Sequence, residues 1–201
     1  GFPIPNVSVP HQSLNDNKII THEDSVQLSR IYLAWHSDRM FGKSDAALDI
    51  LSEILTAVKN SRLQKELLYD KQIVQDISSF QYSGKLSGSF IIIATAKPGE
   101  ELEKIKNNIL HQINYLIKDG VSDEELLRSI NSIKSSYIYS LQKLDTITDH
   151  MNHYNFFLGN PDSFAFDIKR YENVTKQDII KAAQEYLTKP FVELHVIPKL
   201  K

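Results

Sequence analysis

Two histidines, His150 and His153, lie three residues apart and form the most closely spaced histidine pair in the sequence. On a helix, side chains at this spacing share one face, so both imidazoles could reach one metal ion. A catalytic zinc site also needs a third ligand and a general base, and the intervening Met151 and Asn152 provide neither. We therefore interpret the pair as part of a polar helix face and predict no metal site in this chain.

Two of the adjacent carboxylate pairs in the sequence could act in general acid–base catalysis. Glu23 and Asp24 lie near the proline-containing N-terminal segment. Glu124 and Glu125 fall in the first turn of a predicted helix, where the helix dipole favours negative charge. We interpret both pairs as structural, and we assign no role to His36 at the end of a predicted strand.

The remaining residue types give no support for nucleophilic or nucleotide chemistry. The chain has no cysteine, which excludes disulfides, thiolate nucleophiles and cysteine-bound zinc. No Gly-x-Ser-x-Gly motif is present, and the seven glycines do not cluster into a phosphate-binding loop. We therefore predict no catalytic residue in this chain.

Composition narrows the possible classes of protein further. With 201 residues, 41% of them hydrophobic, the chain can form one large domain or two small ones with a real core. A net charge of −2 with scattered lysines argues against a nucleic-acid partner. No apolar run approaches the roughly 18 residues of a membrane helix, so we expect no membrane span.

The elements that must position these residues follow from hydrophobic periodicity and turn signals. Residues 1–19 contain three prolines and show no hydrophobic periodicity, which predicts a linker or lead-in before a domain at 20–201. The segment lacks a basic region and an initiator Met, so we expect an internal segment rather than a signal peptide. In the first half of the domain, the sequence predicts a strand at 26–36, a helix from Ser44 and a second helix at 62–69. It then predicts a hairpin whose strands, 72–82 and 86–96, are joined by the turn Ser83-Gly84-Lys85.

The second half of the domain is predominantly helical in its periodicity. A helix after Pro98 ends at Gly120, and a Ser122/Glu125 capping box opens a long helix continuing through Leu144. Two shorter helices follow the break at 159–162, and a final strand is predicted at 191–197. This order predicts an α+β two-layer sandwich with a mostly antiparallel sheet covered on one face by helices.

One set of short motifs resembles a known family. In order, the motifs are Ser61-Arg62-Leu63, Glu66-Leu67, the hairpin turn at Ser83-Gly84, Lys97-Pro98-Gly99, and a segment with Val174-Thr175, Asp178-Ile179, Ala183 and Tyr186-Leu187. Their order and spacing resemble the metal-free, C-terminal-type half of M16 (pitrilysin or insulinase) zinc peptidases over about residues 20–198. The amino-acid sequence of these motifs is closer to that of the large bacterial members. The resemblance implies the LuxS/M16 metallohydrolase-like fold.

The resemblance also implies functional expectations. Zinc would belong to a catalytic half, fused upstream or separate, and this chain alone would be inactive while helping to bind unfolded peptide substrates. Many family members contribute an Arg and, about seven residues later, a Tyr; these positions correspond here to Leu68 and Gln75. Gln75 is therefore a candidate substrate-binding residue. Tyr69 is a second candidate if the alignment shifts by one residue. Arg62 is a third, although we more readily interpret it as a packing and salt-bridge residue.

Two alternatives remain open at this point. The loss of both the Arg and the Tyr slightly favours a structural module, like the family members that serve as scaffold subunits of respiratory complexes. An independent α+β binding protein, with a coincidental resemblance, would be a stable monomer without a partner. The resemblance to secreted and periplasmic members suggests a bacterial periplasm or cell envelope.

Overall fold

A single sheet of five strands forms the centre of the protein, whose computed structural model describes residues 14–199. The strands in chain order are β1 (Lys18–Asp24), β2 (Arg30–Ser37), β3 (Val74–Ser83), β4 (Gly88–Ala96) and β5 (Val192–Pro198). Their order across the sheet is β1-β5-β2-β4-β3. The pairing of β1 with β5 is parallel, and the other three pairings are antiparallel.

Helices lie in two of the connections between strands, from β2 to β3 and from β4 to β5. They are α1 (Asp45–Ser52), continued by a first π-helical segment (Glu53–Ala57), a second π-helical segment (Gln64–Asp70), α2 (Leu102–Asp119), α3 (Asp123–Ser140), α4 (Leu144–Leu158), α5 (Phe164–Glu172) and α6 (Lys176–Tyr186). Ser61 sits between the two π-helical segments and accepts a hydrogen bond from the Val58 amide while donating to the Glu53 carbonyl, both at 3.0 Å. This side chain explains the predicted interruption of the first helix.

Alternation along the central strands places one face of the sheet in the core. In β2, Ile31, Leu33 and Trp35 are fully or almost fully buried, while the residues between them are not. Strand β4 contributes Phe90, Ile92 and Ala94 to the same face. The apolar sides of the helices, including Ile105 and Ile109 of α2 and Ile179 of α6, belong to the same core. The predicted α+β architecture with helices on one face is thereby confirmed.

The sequence did not predict strand β1. All seven of its residues are exposed, so burial imposes no period-two pattern that could identify it. It pairs with β5, with Lys18 opposite Val192, and therefore depends on a strand near the other end of the chain. It also begins inside the predicted lead-in, of which residues 1–13 lie outside the described part of the chain. The division into lead-in and domain remains a prediction.

The long helix predicted from Ser122 is in fact two helices, which corrects the sequence interpretation. Helix α3 ends at Ser140, whose hydroxyl donates to the Tyr137 carbonyl at 2.6 Å and competes with the helical backbone pattern. Lys143 is extended, so α4 turns back along α3. The hydroxyls of Tyr137 and Tyr154 then hydrogen-bond across the two helices at 2.5 Å. A continuous apolar period concealed this break.

Candidate functional site: the open face of the sheet

The side chains on the face of the sheet opposite the core are partly exposed along its central strands, and we call this surface the open face. Its outward side chains follow the strand register: Tyr32 lies opposite Ile93 and Leu194, and Ala34 lies opposite Ile91 and Val192. Phe80 of β3 extends the apolar centre and is 40% exposed. Aliphatic and aromatic groups on a half-exposed pleated surface can contact extended peptide by apolar burial without selecting one sequence.

One end of the open face is polar and contains a groove of about 520 Å³. Arg30 donates to the Thr95 hydroxyl at 2.9 Å there, and Asp24 and Asp76 line the same groove. Gln75, a predicted substrate-binding residue, is exposed and also lines it, at an irregularity in the pairing of β3 with β4. The structure therefore places Gln75 where its amide can reach a ligand on the open face.

Arg62, the second predicted candidate, has strong partners inside the protein. Its Nε donates to Glu125 Oε1 at 2.7 Å, and its Nη2 donates to Glu125 Oε2 at 2.9 Å and to the Gly120 carbonyl at 2.7 Å. Burial alone would raise the pKa of Glu125, but the hydrogen bonds from Arg62 and Ser122 outweigh it and lower this pKa to about 2. Arg62 thus holds the start of α3.

Tyr69, the third candidate, lies near the end of the second π-helical segment and is 43% exposed. Its neighbour Leu68, at the position of the family's arginine, is packed against the hydrophobic core. An aliphatic side chain with these contacts cannot donate a hydrogen bond to substrate. Gln75 lies in the groove on the open face and Arg62 at the start of α3, so the three candidates have different surroundings.

The histidine pair lies on α4 beside a second cavity, on the helical side of the sheet. His150 Nε2 is 3.1 Å from the Ser140 hydroxyl, and the ring of His153 is 4.6 Å from that of Phe157 between centroids. Burial lowers the pKa of His153. Within residues 14–199, no group of three or more His, Cys, Asp or Glu residues is arranged to hold a metal ion.

Sequence reasoning missed a cluster of charged groups beside this second cavity. Arg170 Nη1 donates to Asp45 at 2.9 Å, and Arg170 Nη2 donates to Asp167 at 2.8 Å. Asp49 accepts a hydrogen bond from Tyr171 at 2.8 Å, while burial and the nearby Asp45 raise the pKa of Asp49 to about 7. Asp45 and Arg170 are 125 residues apart in the chain. The one sequence signal for a basic partner of Asp45 was the presence of acidic residues on the apolar side of the amphipathic helix α1.

None of the helices in the described residues combines the length and hydropathy needed to cross a lipid bilayer. The two-layer fold with one open sheet face is the architecture that the resemblance implied for the metal-free half of an M16 peptidase. The family model "Peptidase M16 inactive domain" matches residues 3–133. The chain belongs to this family, which confirms the resemblance.

Individual relatives agree with the family assignment. The zinc protease PqqE of Helicobacter pylori is 24% identical over 186 residues, which are 92% of this chain and 41% of that protein. A solved protease structure from Helicobacter pylori has a TM-score of 0.86 at 20% identity, covering 98% of this chain and 48% of that one. The peptidase M16 inactive domain from Pseudomonas fluorescens has a TM-score of 0.81 at 17% identity, covering 97% and 47%. The chain spans less than half the length of each of these three relatives.

Proposed function

We propose that this chain is the non-catalytic wall of a zinc metallopeptidase. It pairs with a zinc-bearing half, and the two enclose an unfolded peptide that the zinc centre of the other half cleaves. In this arrangement zinc belongs to the complex and not to this chain. The open face carries the proposal, because it presents a half-exposed apolar centre with a polar groove at one end.

Membership of the inactive-domain family supports the non-catalytic role. The relatives named above include a zinc protease more than twice as long as this chain, which leaves room for a catalytic half there. The open face supports the enclosing role, since Tyr32, Ile91 and Ile93 can bury apolar side chains of an extended peptide. Selectivity would then arise from the shape and charge of the chamber rather than from a specific subsite.

Gln75 is the residue we propose to hydrogen-bond the substrate directly. Its exposed amide lines the groove with Arg30 and Asp76, and an amide can both donate to and accept from a peptide backbone. Tyr69 would contribute only if a bound partner brings substrate to the second π-helical segment. Arg62 would act indirectly, by fixing the segment that precedes these residues.

The test is reconstitution of peptide cleavage with the zinc-bearing half. We expect the two halves together to cleave an unstructured fluorogenic peptide, and this chain alone to cleave nothing. Ile93→Glu places a charge on the open face, and Leu127→Glu places the same charge on the exposed side of α3, where Leu127 is 61% exposed. We expect cleavage to fall at least about tenfold for Ile93→Glu and to stay unchanged for Leu127→Glu, because only the first buries a charge against substrate.

Circular dichroism and thermal melts of both variants establish that each is folded. Full activity of a folded Ile93→Glu variant would remove the open face from the proposal. Stoichiometric zinc binding or peptide cleavage by the isolated chain would overturn the non-catalytic assignment. Gln75→Ala, compared with the nearby exposed Gln72→Ala, tests the hydrogen bond, and only the first should raise KM.

A second candidate function is that of a scaffold that assembles with a partner and supports no proteolysis. The observation in its favour is the pair of substitutions at the family's arginine and tyrosine positions, here the packed Leu68 and the amide Gln75. An assembled complex that binds its partner at full stoichiometry but cleaves no peptide would favour the scaffold. An intact zinc motif in the partner half, with cleavage, would favour the peptidase.

A further inference from the structure

A second cavity of about 680 Å³ lies on the helical side, between the α3–α4 helix pair, α5 and the end of β3. This volume is within the range of about 300–1,000 Å³ that is usual for small-molecule sites. The proposed enclosure of peptide by the open face makes no use of it. Its walls combine acidic groups with aromatic rings, and that combination indicates what it could bind.

Carboxylates outnumber cations around the cavity. Four carboxyl groups and one guanidinium line it among the described residues: Asp49, Glu53, Asp149, Asp167 and Arg170. The single Arg170 is shared between Asp167 and the buried Asp45, so its charge is already matched by two carboxylates. Glu53 and Asp149 therefore add negative charge without a cation in the wall, and the cavity attracts positive charge.

Aromatic rings form much of the remaining wall. Phe41, Tyr82, Tyr137 and Tyr171 line the cavity. The Arg170 guanidinium already lies 4.5 Å from the centroid of Phe41 and 5.2 Å from that of Tyr171, so these rings accept a cation in the folded protein. Phe41 adopts a positive φ of 57°, which is unfavourable for a side chain of this size. Its ring nevertheless packs against the rings of His153 and Phe157, with centroids 5.7 Å and 6.0 Å apart.

We propose that this cavity binds a cation carried on a short aliphatic chain, that is, a guanidinium or primary ammonium group of the kind found in arginine, lysine and linear polyamines. The carboxylates of Glu53 and Asp149 pair with the charge. The aromatic walls cover the methylene chain and contribute cation–π contacts. The source is either a basic side chain of a peptide or a free small amine, since both present the same chemistry.

Calorimetric titration of the 201-residue chain with two matched compounds tests the charge requirement. Nα-acetyl-arginine amide carries the guanidinium, and Nα-acetyl-citrulline amide has the same shape without the charge. We expect saturable binding of the arginine compound and at least about tenfold weaker binding of the citrulline compound, because the cavity supplies carboxylates to the charge. Equal binding of the two, or no saturable binding of arginine amide and spermidine, would overturn the proposal.

Variants locate the binding. Glu53→Gln with Asp149→Asn removes two negative charges from the wall and keeps the side-chain shapes. Asp145→Asn removes one charge from the same helix α4 outside the cavity. We expect the double variant to weaken binding by about tenfold, which corresponds to about 1.4 kcal/mol for the two ion pairs together, and Asp145→Asn to leave binding unchanged. Unchanged binding by the folded double variant would overturn the assignment to this cavity.

A steric variant keeps the test decisive if the charge variants fold poorly. Ser136 is exposed on α3 and lines the cavity, so Ser136→Trp fills it without altering any charge. We expect loss of arginine-amide binding, and retained binding by this folded variant would contradict the proposal. Two further titrations distinguish the sources, one with a blocked peptide that has one central arginine and one with free spermidine. The compound that binds more tightly identifies the kind of ligand that the cavity favours. Neither titration depends on cleavage or on the open face.

Discussion

The Arg62 guanidinium and the Glu125 carboxylate form a two-point salt bridge that joins the segment before the second π-helical segment to the start of α3. Glu125 also accepts from the Ser122 amide at 2.9 Å, and Ser122 accepts from the Glu125 amide, which completes a capping box. One carboxylate therefore fixes both the beginning of a helix and its position against the motif Ser61-Arg62-Leu63.

Glu125→Gln should destabilise the protein by about 1–3 kcal/mol at pH 7, since it removes hydrogen bonds between charged groups and leaves the partly buried Arg62 without its counter-charge. The pKa of Glu125 is about 2 in the folded protein and near 4.5 without its partners. A depressed folded pKa gives stability that is present above pH 4.5 and is lost as the pH falls towards 2. Urea unfolding at pH 7 and at pH 2–3 measures both effects.

Glu124→Gln is the matched control for this prediction. Its side chain is 88% exposed and lies 3.7 Å from Arg128, so we expect a change within about 0.5 kcal/mol. A Glu125→Gln variant as stable as Glu124→Gln at neutral pH would show that the salt bridge contributes nothing measurable.

Asp49→Asn should stabilise the protein above pH 7. The pKa of Asp49 is raised to about 7 by burial and by Asp45, from an ordinary value of 3.8. Between these values the folded state binds more protons than the unfolded state, so this group lowers stability as the pH rises from about 4 to 7. The amide still accepts the Tyr171 hydrogen bond, and we expect a gain in unfolding free energy of about 1 kcal/mol or more at pH 8.

Thermal melts from pH 4 to 8 should show that the difference in stability between Asp49→Asn and the unaltered protein grows with pH. A difference independent of pH would contradict the raised pKa. Asp70→Asn, at an exposed position, serves as the control.

Gly88→Ala should destabilise the protein strongly, because β4 approaches the end of β2 closely at this position. A Cβ added there would lie 2.2 Å from the Asp38 carbonyl oxygen and 2.6 Å from the Ser37 hydroxyl. Relieving contacts with backbone requires strand movement, at a cost of about 1–3 kcal/mol. In Gly84→Ala the nearest atom is the Ser87 carbonyl oxygen at 3.3 Å, and we expect a change of about 0.5 kcal/mol or less. Equal melting temperatures for the two variants would refute this explanation.

Tyr154→Phe should loosen the α4–α5 region. The fully buried Tyr154 donates to Asp167 at 2.8 Å and shares a hydrogen bond with the Tyr137 hydroxyl. Removing the hydroxyl leaves a carboxylate with one donor fewer, and we expect a loss of about 1–3 kcal/mol of unfolding free energy. Tyr139→Phe, at a residue that is 69% exposed, should have no measurable effect. Faster amide hydrogen exchange in α4 would locate the change, and unaltered stability of Tyr154→Phe would contradict it.

Local signals explain why much of the fold was predictable. The hairpin of β3 and β4, the capping box at Ser122, and the final strand were all indicated by residues close together in the chain. Strand β1 and the break between α3 and α4 gave no such signal. The first has no buried face, and the second is set by a side-chain hydrogen bond of Ser140 and by the packing of Tyr137 on Tyr154.

The candidate sites divide in the same way. Gln75 and Arg62 could be selected because they stand beside recognisable motifs, and Glu125 could be assigned to a helix start. The sequence by itself determined the α+β class, the family and the absence of cysteine chemistry, since these depend on short-range pattern and composition. Only the tertiary structure decided which charged groups form pairs. Asp45 and Arg170, like Arg62 and Glu125, are far apart in the chain and become neighbours only because their helices pack together. The ionisation of Asp49 and the charge of the second cavity follow from that packing.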